Sequence, residues 1–331
     1  MPTTPAGPMR HDETVITAAG SPVRAYRAGA GTALVLLHGG GLDDAQLSWA
    51  PLWPALTGHA RLLAPDLPGY GGSPLGHTAP TLEGYRAWLL AFLDAAGIQT
   101  AVLAGLSLGG GIALRTALDA PARVAGLVLL APYGISPRLP GGTIGYLAAH
   151  AAATTQAALQ HSDRLLRASL RALLHHPGAV TGDLASQVRA LLARPGAGAA
   201  WSAFQHHEAG WARPRTYFTG QLGAIGCPVL LLSGEHDRVV PPGDVRAAAT
   251  RIPHARFTPV AAAGHWLPRD APGQVASQLI TFLAAAPAAR QRTWTAPDQR
   301  AASICLTPVF FALAGPAFFV TQHRPHPPGT L

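Results

Sequence analysis

The chain has 331 residues, 48% of them hydrophobic and 12% charged, which is enough apolar material for a large core and argues against global disorder. Its formal net charge of +8 rests on 24 basic residues, all of them arginine. These are scattered without a run or stripe, so the charge does not point to nucleic acid. Abundant Ala, Gly and Pro beside the absence of lysine looks like the imprint of a GC-rich genome. Two cysteines, Cys227 and Cys305, do not make a disulfide framework. Cys227, just before Pro228 and an apolar strand, reads as a buried structural thiol. Residues Met1 to Arg10 lack the apolar region of a secretory signal, so the expected compartment is the cytoplasm.

In chain order, Val15–Thr17 and Val23–Arg27 predict a β-hairpin around Gly20-Ser21-Pro22. Ala33–Leu37 is a continuous apolar run, as suits a parallel strand buried on both faces, and it ends in His38-Gly39-Gly40-Gly41. Asp43–Leu56 predicts a helix with Trp49, Leu52 and Trp53 on one side. Arg61–Ala64 predicts the next strand, which runs into Pro65-Asp66-Leu67-Pro68-Gly69-Tyr70-Gly71-Gly72-Ser73. Leu82–Ala96 predicts an amphipathic helix, with Thr81 as N-cap and Gly97 as C-cap. The apolar run Thr100–Leu103 then leads through Gly105-Leu106-Ser107-Leu108-Gly109-Gly110 into a helix over Ile112–Leu118. Val124–Leu130 is a further buried strand.

This alternation predicts an α/β fold with a mostly parallel central sheet and helices on both faces. From Ile135 to Gly220 no strand is evident. Helical stretches at Tyr146–Gln160 and Asp163–Leu174, broken by Pro177-Gly178 and Pro195-Gly196, predict a helical cap insertion over the C-terminal edge of the sheet. Alternation resumes with a strand at Pro228–Ser233, a helix at Asp244–Arg251, a strand at Arg256–Val260 and a helix at Pro272–Ala285. The expected domains are a core of residues 15–134 and 221–285, a cap of 135–220, and a loosely ordered tail of 286–331. The tail contains an apolar run of 17 residues, Ile304–Val320, interrupted by Pro308 and Pro316. That falls short of the roughly 20 residues a spanning helix needs, so membrane attachment is not expected.

The chemistry centres on Ser107, at a strand–turn–helix junction in a G-x-S-x-G frame. Two roles fit the pentapeptide alone: a helix cap, or a nucleophile raised above the sheet on a sharp turn. A nucleophile needs a base and a group that orients the base. His265, in Gly264-His265-Trp266 after the last strand, is the expected base. Asp237, in Gly234-Glu235-His236-Asp237 after the strongest apolar run of the second half, is the expected acid, with Glu235 as its rival. Ala131-Pro132-Tyr133 offers no acid after the preceding strand. The oxyanion needs two N–H donors; Leu108 supplies one, and the Gly-rich loop the other, from Gly40 or else Gly39. His38 reads as structural. His175-His176 and His206-His207-Glu208 lack convincing metal spacing, and neither metal nor cofactor is expected.

Together His38-Gly39-Gly40-Gly41, Asp66-Leu67-Pro68-Gly69-Tyr70-Gly71, Gly105-Leu106-Ser107-Leu108-Gly109-Gly110, Gly234-Glu235-His236-Asp237 and Gly264-His265 resemble the α/β-hydrolase fold superfamily, over Val15 to Ala285. The resemblance implies a structural role for Asp66. A Ser nucleophile departs from haloalkane dehalogenases and epoxide hydrolases, which use Asp there. The triple-Gly loop with Gly264-His265-Trp266 resembles meta-cleavage-product C–C hydrolases. Those usually carry Asn before the Ser, where this chain has Leu106, and hold their dienoate with a cap Arg, for which Arg189 and Arg194 both offer. The expectation is a serine hydrolase that cleaves an ester or related acyl bond of a small, largely apolar molecule through an acyl-enzyme. A C–C hydrolase and a cofactor-free perhydrolase are the alternatives. A binding protein with an idle triad is the rival class, and oligomeric state is left open.

Overall fold

In the computed structural model, which describes residues 12–139, 158–211 and 213–285, the apolar runs become an eight-stranded sheet in the order β1-β2-β4-β3-β5-β6-β7-β8. Strands β1 (Asp12–Ala18) and β2 (Ser21–Ala28) form the expected hairpin. β2 also pairs antiparallel with β4 (Arg61–Pro65). β3 (Ala33–Leu37), β5 (Ala101–Leu106), β6 (Val124–Leu130), β7 (Val229–Gly234) and β8 (Ala255–Val260) continue from β4 in parallel. The fold is therefore α/β with a mostly parallel sheet.

Because successive strand residues face opposite ways, the continuous runs feed two cores. Val35, Leu37, Leu103, Leu127 and Leu231 pack on α3 (Leu82–Ala95) and α4 (Leu108–Asp119) through Trp88, Phe92 and Ile112. Leu34, Leu36, Val102, Val128 and Leu230 face the other way, onto Trp49, Trp53 and Leu279. Thr81 caps α3 by accepting the Gly84 N–H at 3.0 Å. Gly97, at φ 66°, closes its C-terminus.

The stretch expected as one helix over Asp43–Leu56 is instead α1 (Ala45–Trp49), a 3-10 turn (Ala50–Leu52) and α2 (Trp53–Leu56). Pro51 and Pro54 lack the N–H that a continuing helix needs, so the axis breaks twice. Between β6 and β7 the described residues include the helices α5 (Asp163–Leu173), α6 (Gly182–Leu192) and α7 (Ala199–Glu208). After β7 come α8 (Pro242–Ala249), the short α9 (Leu267–Asp270) and α10 (Pro272–Ala285). Most of the helix expected at Tyr146–Gln160, and the whole tail 286–331 with its apolar run and Cys305, lie outside the described residues. No helix among the described residues is long and apolar enough to cross a membrane. Cys227 is partly rather than fully buried, and that burial raises its thiol to about 11.

Candidate active site

Ser107 sits between β5 and α4 at φ 49° and ψ −112°, a left-handed turn that a non-glycine residue adopts only under constraint. The constraint is visible. The Ser107 N–H donates to Leu130 O at 2.9 Å, and Ser107 O accepts from Gly111 N–H at 3.0 Å and Tyr133 N–H at 2.8 Å. The flanking glycines are required by close backbone approach. A Cβ on Gly105 would stand 2.3 Å from Gly109 O, and one on Gly109 would stand 2.3 Å from Leu37 O. The Ser107 side chain thus enters at the N-terminus of α4, where Leu108 N–H has no intrahelical acceptor and favours negative charge.

The Gly-rich loop after β3 lies against this turn, with Gly109 N–H donating to His38 O at 3.1 Å. His38 is fully buried. Its Nε2 accepts from Leu67 N–H at 2.9 Å, so Nδ1 carries the proton and donates to Gly39 O at 2.7 Å. Both ring nitrogens are occupied by backbone, as a structural role requires. Gly39 N–H is also taken, by Asp43 Oδ2 at 2.7 Å. A Cβ on Gly40 would meet Trp201 Cζ3 of α7 at 2.3 Å.

At the ends of β7 and β8, His265 Nδ1 lies 2.9 Å from Asp237 Oδ2, and the Asp237 side chain is wholly buried. A carboxylate only accepts, so Nδ1 donates, and a neutral ring leaves Nε2 free of a proton. Asp237 Oδ1 accepts from Val239 N–H at 2.7 Å and Val240 N–H at 2.9 Å, which fixes the carboxylate. Glu235, the alternative acid, is exposed. Asp66 is buried at the end of β4, where Arg24 Nε donates at 2.6 Å, Gly72 N–H at 2.7 Å and Ala45 N–H at 3.0 Å. It staples β2, α1 and the loop that follows β4, away from any reacting group.

Helices α5 to α7 reach these loops by contacts that no spacing in the sequence announces. Leu173 O accepts from His265 N–H at 2.8 Å and Trp266 N–H at 3.1 Å. Asp270 accepts from Gly264 N–H and His175 N–H, both at 2.6 Å, and from His176 N–H at 2.9 Å. His175 stacks on His236, with ring centroids 3.7 Å apart. Trp201 stacks on Phe204 at 5.6 Å, and Phe204 meets Tyr133 edge-on at 5.3 Å, so an aromatic row runs from the Gly-rich loop after β3 to Tyr133, three residues beyond β6. Arg189 is paired with Asp163 at 2.6 Å on the α5–α6 surface, and Arg194 is exposed. Among the described residues no group of three or more His, Cys, Asp or Glu could hold a metal ion.

The family model described as "alpha/beta hydrolase fold" matches residues 32–272. The dihydrolipoyllysine-residue acetyltransferase component of the acetoin cleaving system of Pseudomonas putida is 32% identical over 253 residues, 76% of this chain but only 64% of that protein. The pimeloyl-[acyl-carrier protein] methyl ester esterase of Aromatoleum aromaticum is 32% identical, over 70% of this chain and 90% of that one. The 2-hydroxymuconate semialdehyde hydrolase of Pseudomonas sp. (strain CF600) is 29% identical, over 83% of this chain and 94% of that one. Among solved structures, carboxylesterase CesB from Bacillus subtilis superposes with a TM-score of 0.70 at 23% identity, covering 85% of this chain and 94% of that one, a likeness of fold.

Proposed function

Since the chain belongs to the alpha/beta hydrolase fold family, we propose that it is a serine hydrolase that cleaves an ester or related acyl bond of a small, largely apolar substrate. Ser107 is the nucleophile, His265 the base and Asp237 the residue that orients the base. The observation that carries the reading is the buried His265–Asp237 pair at 2.9 Å, at the same sheet edge as the strained Ser107 turn. His265 Nε2 takes the Ser107 proton as Oγ attacks the carbonyl carbon. Gly40 and Leu108 N–H groups hold the oxyanion, and the His265 imidazolium, steadied by Asp237, protonates the leaving alcohol. Water then attacks the acyl-enzyme by the same route and frees Ser107. The described helices between β6 and β7, α5 to α7, act as a cap. Trp201 and the buried Leu106 and Leu108 give the acyl side an apolar wall.

The likeness to an esterase at 32% identity favours an ester over a carbon–carbon bond. C–C hydrolysis remains the second reading, favoured by the likeness to 2-hydroxymuconate semialdehyde hydrolase. It needs a cation for the dienoate, whereas Arg189 is engaged with Asp163 and Arg194 is exposed. The test is labelling with a fluorophosphonate probe, together with turnover of p-nitrophenyl acyl esters of graded chain length and of one dienoate. Wild-type protein labels and hydrolyses an ester, and Ser107→Ala does neither. An unlabelled wild type refutes the proposal, and dienoate turnover exceeding that of every ester moves the reading to the C–C class.

A further inference from the structure

One buried carboxylate at this edge is absent from the mechanism above. Asp43 follows the Gly-rich loop by two residues and is 4% exposed. Its Oδ2 accepts from Gly39 N–H at 2.7 Å and from the Ser48 hydroxyl at 2.6 Å, and its Oδ1 accepts from Asp44 N–H at 2.9 Å. Ser48 Oγ in turn accepts from the Trp266 indole N–H at 2.8 Å. A continuous hydrogen-bonded path therefore runs from the loop after β3, through α1, to the residue that follows His265.

We propose that Asp43 is a positioning residue for the oxyanion hole: by holding Gly39 N–H it leaves Gly40 N–H as the loop's donor, and through Ser48 it fixes that loop against the His265 loop. The proposal rests on the serine-hydrolase reading, and it settles which glycine serves. Gly39 N–H is engaged by the Asp43 carboxylate and so is not open to an oxyanion. The carbonyl of the preceding residue, His38, is tied to the Ser107 turn through Gly109 N–H at 3.1 Å. The loop is thus clamped from both sides, at His38 O and at Gly39 N–H, and its next N–H is presented in one orientation. Preorganised donors of this kind act on the tetrahedral state far more than on the bound ester.

That asymmetry supplies the test, made on the full chain with p-nitrophenyl acetate and with an arylboronic acid whose tetrahedral adduct on Ser107 places an oxygen in the hole. Asp43→Ala frees Gly39 N–H, and kcat falls on the order of a hundredfold while KM stays within about threefold. The boronate inhibition constant rises in parallel with the loss in kcat/KM. Asp43→Asn keeps one acceptor oxygen for Gly39 N–H and turns its amide toward Asp44 N–H. It recovers about tenfold of that loss, leaving kcat roughly tenfold below wild type. Ser48→Ala cuts the path to Trp266 but leaves the clamp, and kcat stays within about fivefold.

An Asp43→Ala protein of wild-type melting temperature with kcat within about threefold of wild type overturns the proposal, as does a loss of kcat with an unchanged boronate constant. If Asp43→Ala does not fold, Asp43→Asn decides: a lowered kcat with a raised boronate constant supports the role, and no change in either refutes it. Ester turnover that survives Ser107→Ala fails the serine-hydrolase reading itself, separately from any Asp43 variant.

Discussion

Gly40→Ala tests the junction between the Gly-rich loop after β3, the proposed oxyanion loop, and α7. The backbone of Gly40 lies outside the left-handed region, so alanine is tolerated by φ, and the obstacle is the Trp201 indole alone. A Cβ there would stand 2.3, 2.5 and 3.0 Å from Trp201 Cζ3, Cε3 and Cη2. Carbon atoms rest at about 3.5–4.0 Å, so the indole must withdraw by more than about 1 Å. It is held by its stack on Phe204 at 5.6 Å and 14°. Disturbing that stack costs about 0.5–1.5 kcal/mol. Overpacking brings the total for Gly40→Ala to about 2 kcal/mol. Trp201→Ala removes the obstacle at a cost of its own, about 2–3 kcal/mol for a partly buried indole. In the double variant the methyl finds open space, so the two losses overlap by about 1.5 kcal/mol. Urea denaturation of the four proteins measures the coupling, and kcat/KM follows the same cycle, because a displaced Gly40 N–H weakens the oxyanion hole. Losses that add to within about 0.5 kcal/mol, with no recovery of kcat/KM, would refute the contact and the account of the acyl wall built on it.

Asp237→Asn lets the amide donate to His265 Nδ1 and selects the wrong tautomer. Single-turnover release of p-nitrophenol should slow on the order of 10⁴-fold, and a slowing below about tenfold places the orienting acid elsewhere. Arg24→Met leaves the fully buried Asp66 with only the Gly72 and Ala45 N–H groups. Urea denaturation should show a loss of about 3 kcal/mol, and a loss under about 1 kcal/mol contradicts the stapling role. Burial lifts the Asp43 carboxyl from 3.8 to about 6. The folded chain then holds the extra proton between those values, so the stability linked to this group is present below about pH 4 and is lost as pH rises to about 6. The full shift is worth about 3 kcal/mol, and the melting temperature of wild type should fall relative to that of Asp43→Asn across this window. Parallel melting curves for the two proteins from pH 4 to pH 7 would refute it.

The centre of the sheet was legible because β3, β5, β6 and β7 are continuous apolar runs closed by glycine and proline, a pattern that survives without knowledge of partners. The Ser107 turn was legible for a related reason. Gly105 and Gly109 answer to backbone approach within a few residues, so the constraint is written locally. The break of Asp43–Leu56 into two short helices was also local, and Pro51 and Pro54 announce it once backbone donors are counted. What stayed hidden is long-range. Asp43 turns inward onto Gly39, and its partner Ser48 meets Trp266 across more than two hundred residues. Trp201 lies over Gly40, and Asp270 receives His175 and His176, through docking of helices whose amphipathic pattern fixes a buried face and not its partner. For the same reason the sequence left Gly39 and Gly40 as alternatives. The difference between them is a hydrogen bond to a side chain whose inward turn no periodicity records.

The attachment of α5 to the His265 loop also bears on how the molecule is made. The Ser107 turn needs only β5, α4 and the strand that ends at Leu130, all present once the first 133 residues exist. The proposed base lies at residue 265, and the carboxylate that receives His175 and His176 lies five residues later. In chain order the residues that shape the Ser107 turn therefore precede the proposed base by more than 130 positions. The segment at Leu173–His176 gains its anchor in the same short stretch of chain that delivers the base. The anchor of that segment and the proposed base thus belong to one stretch of six residues, His265 to Asp270.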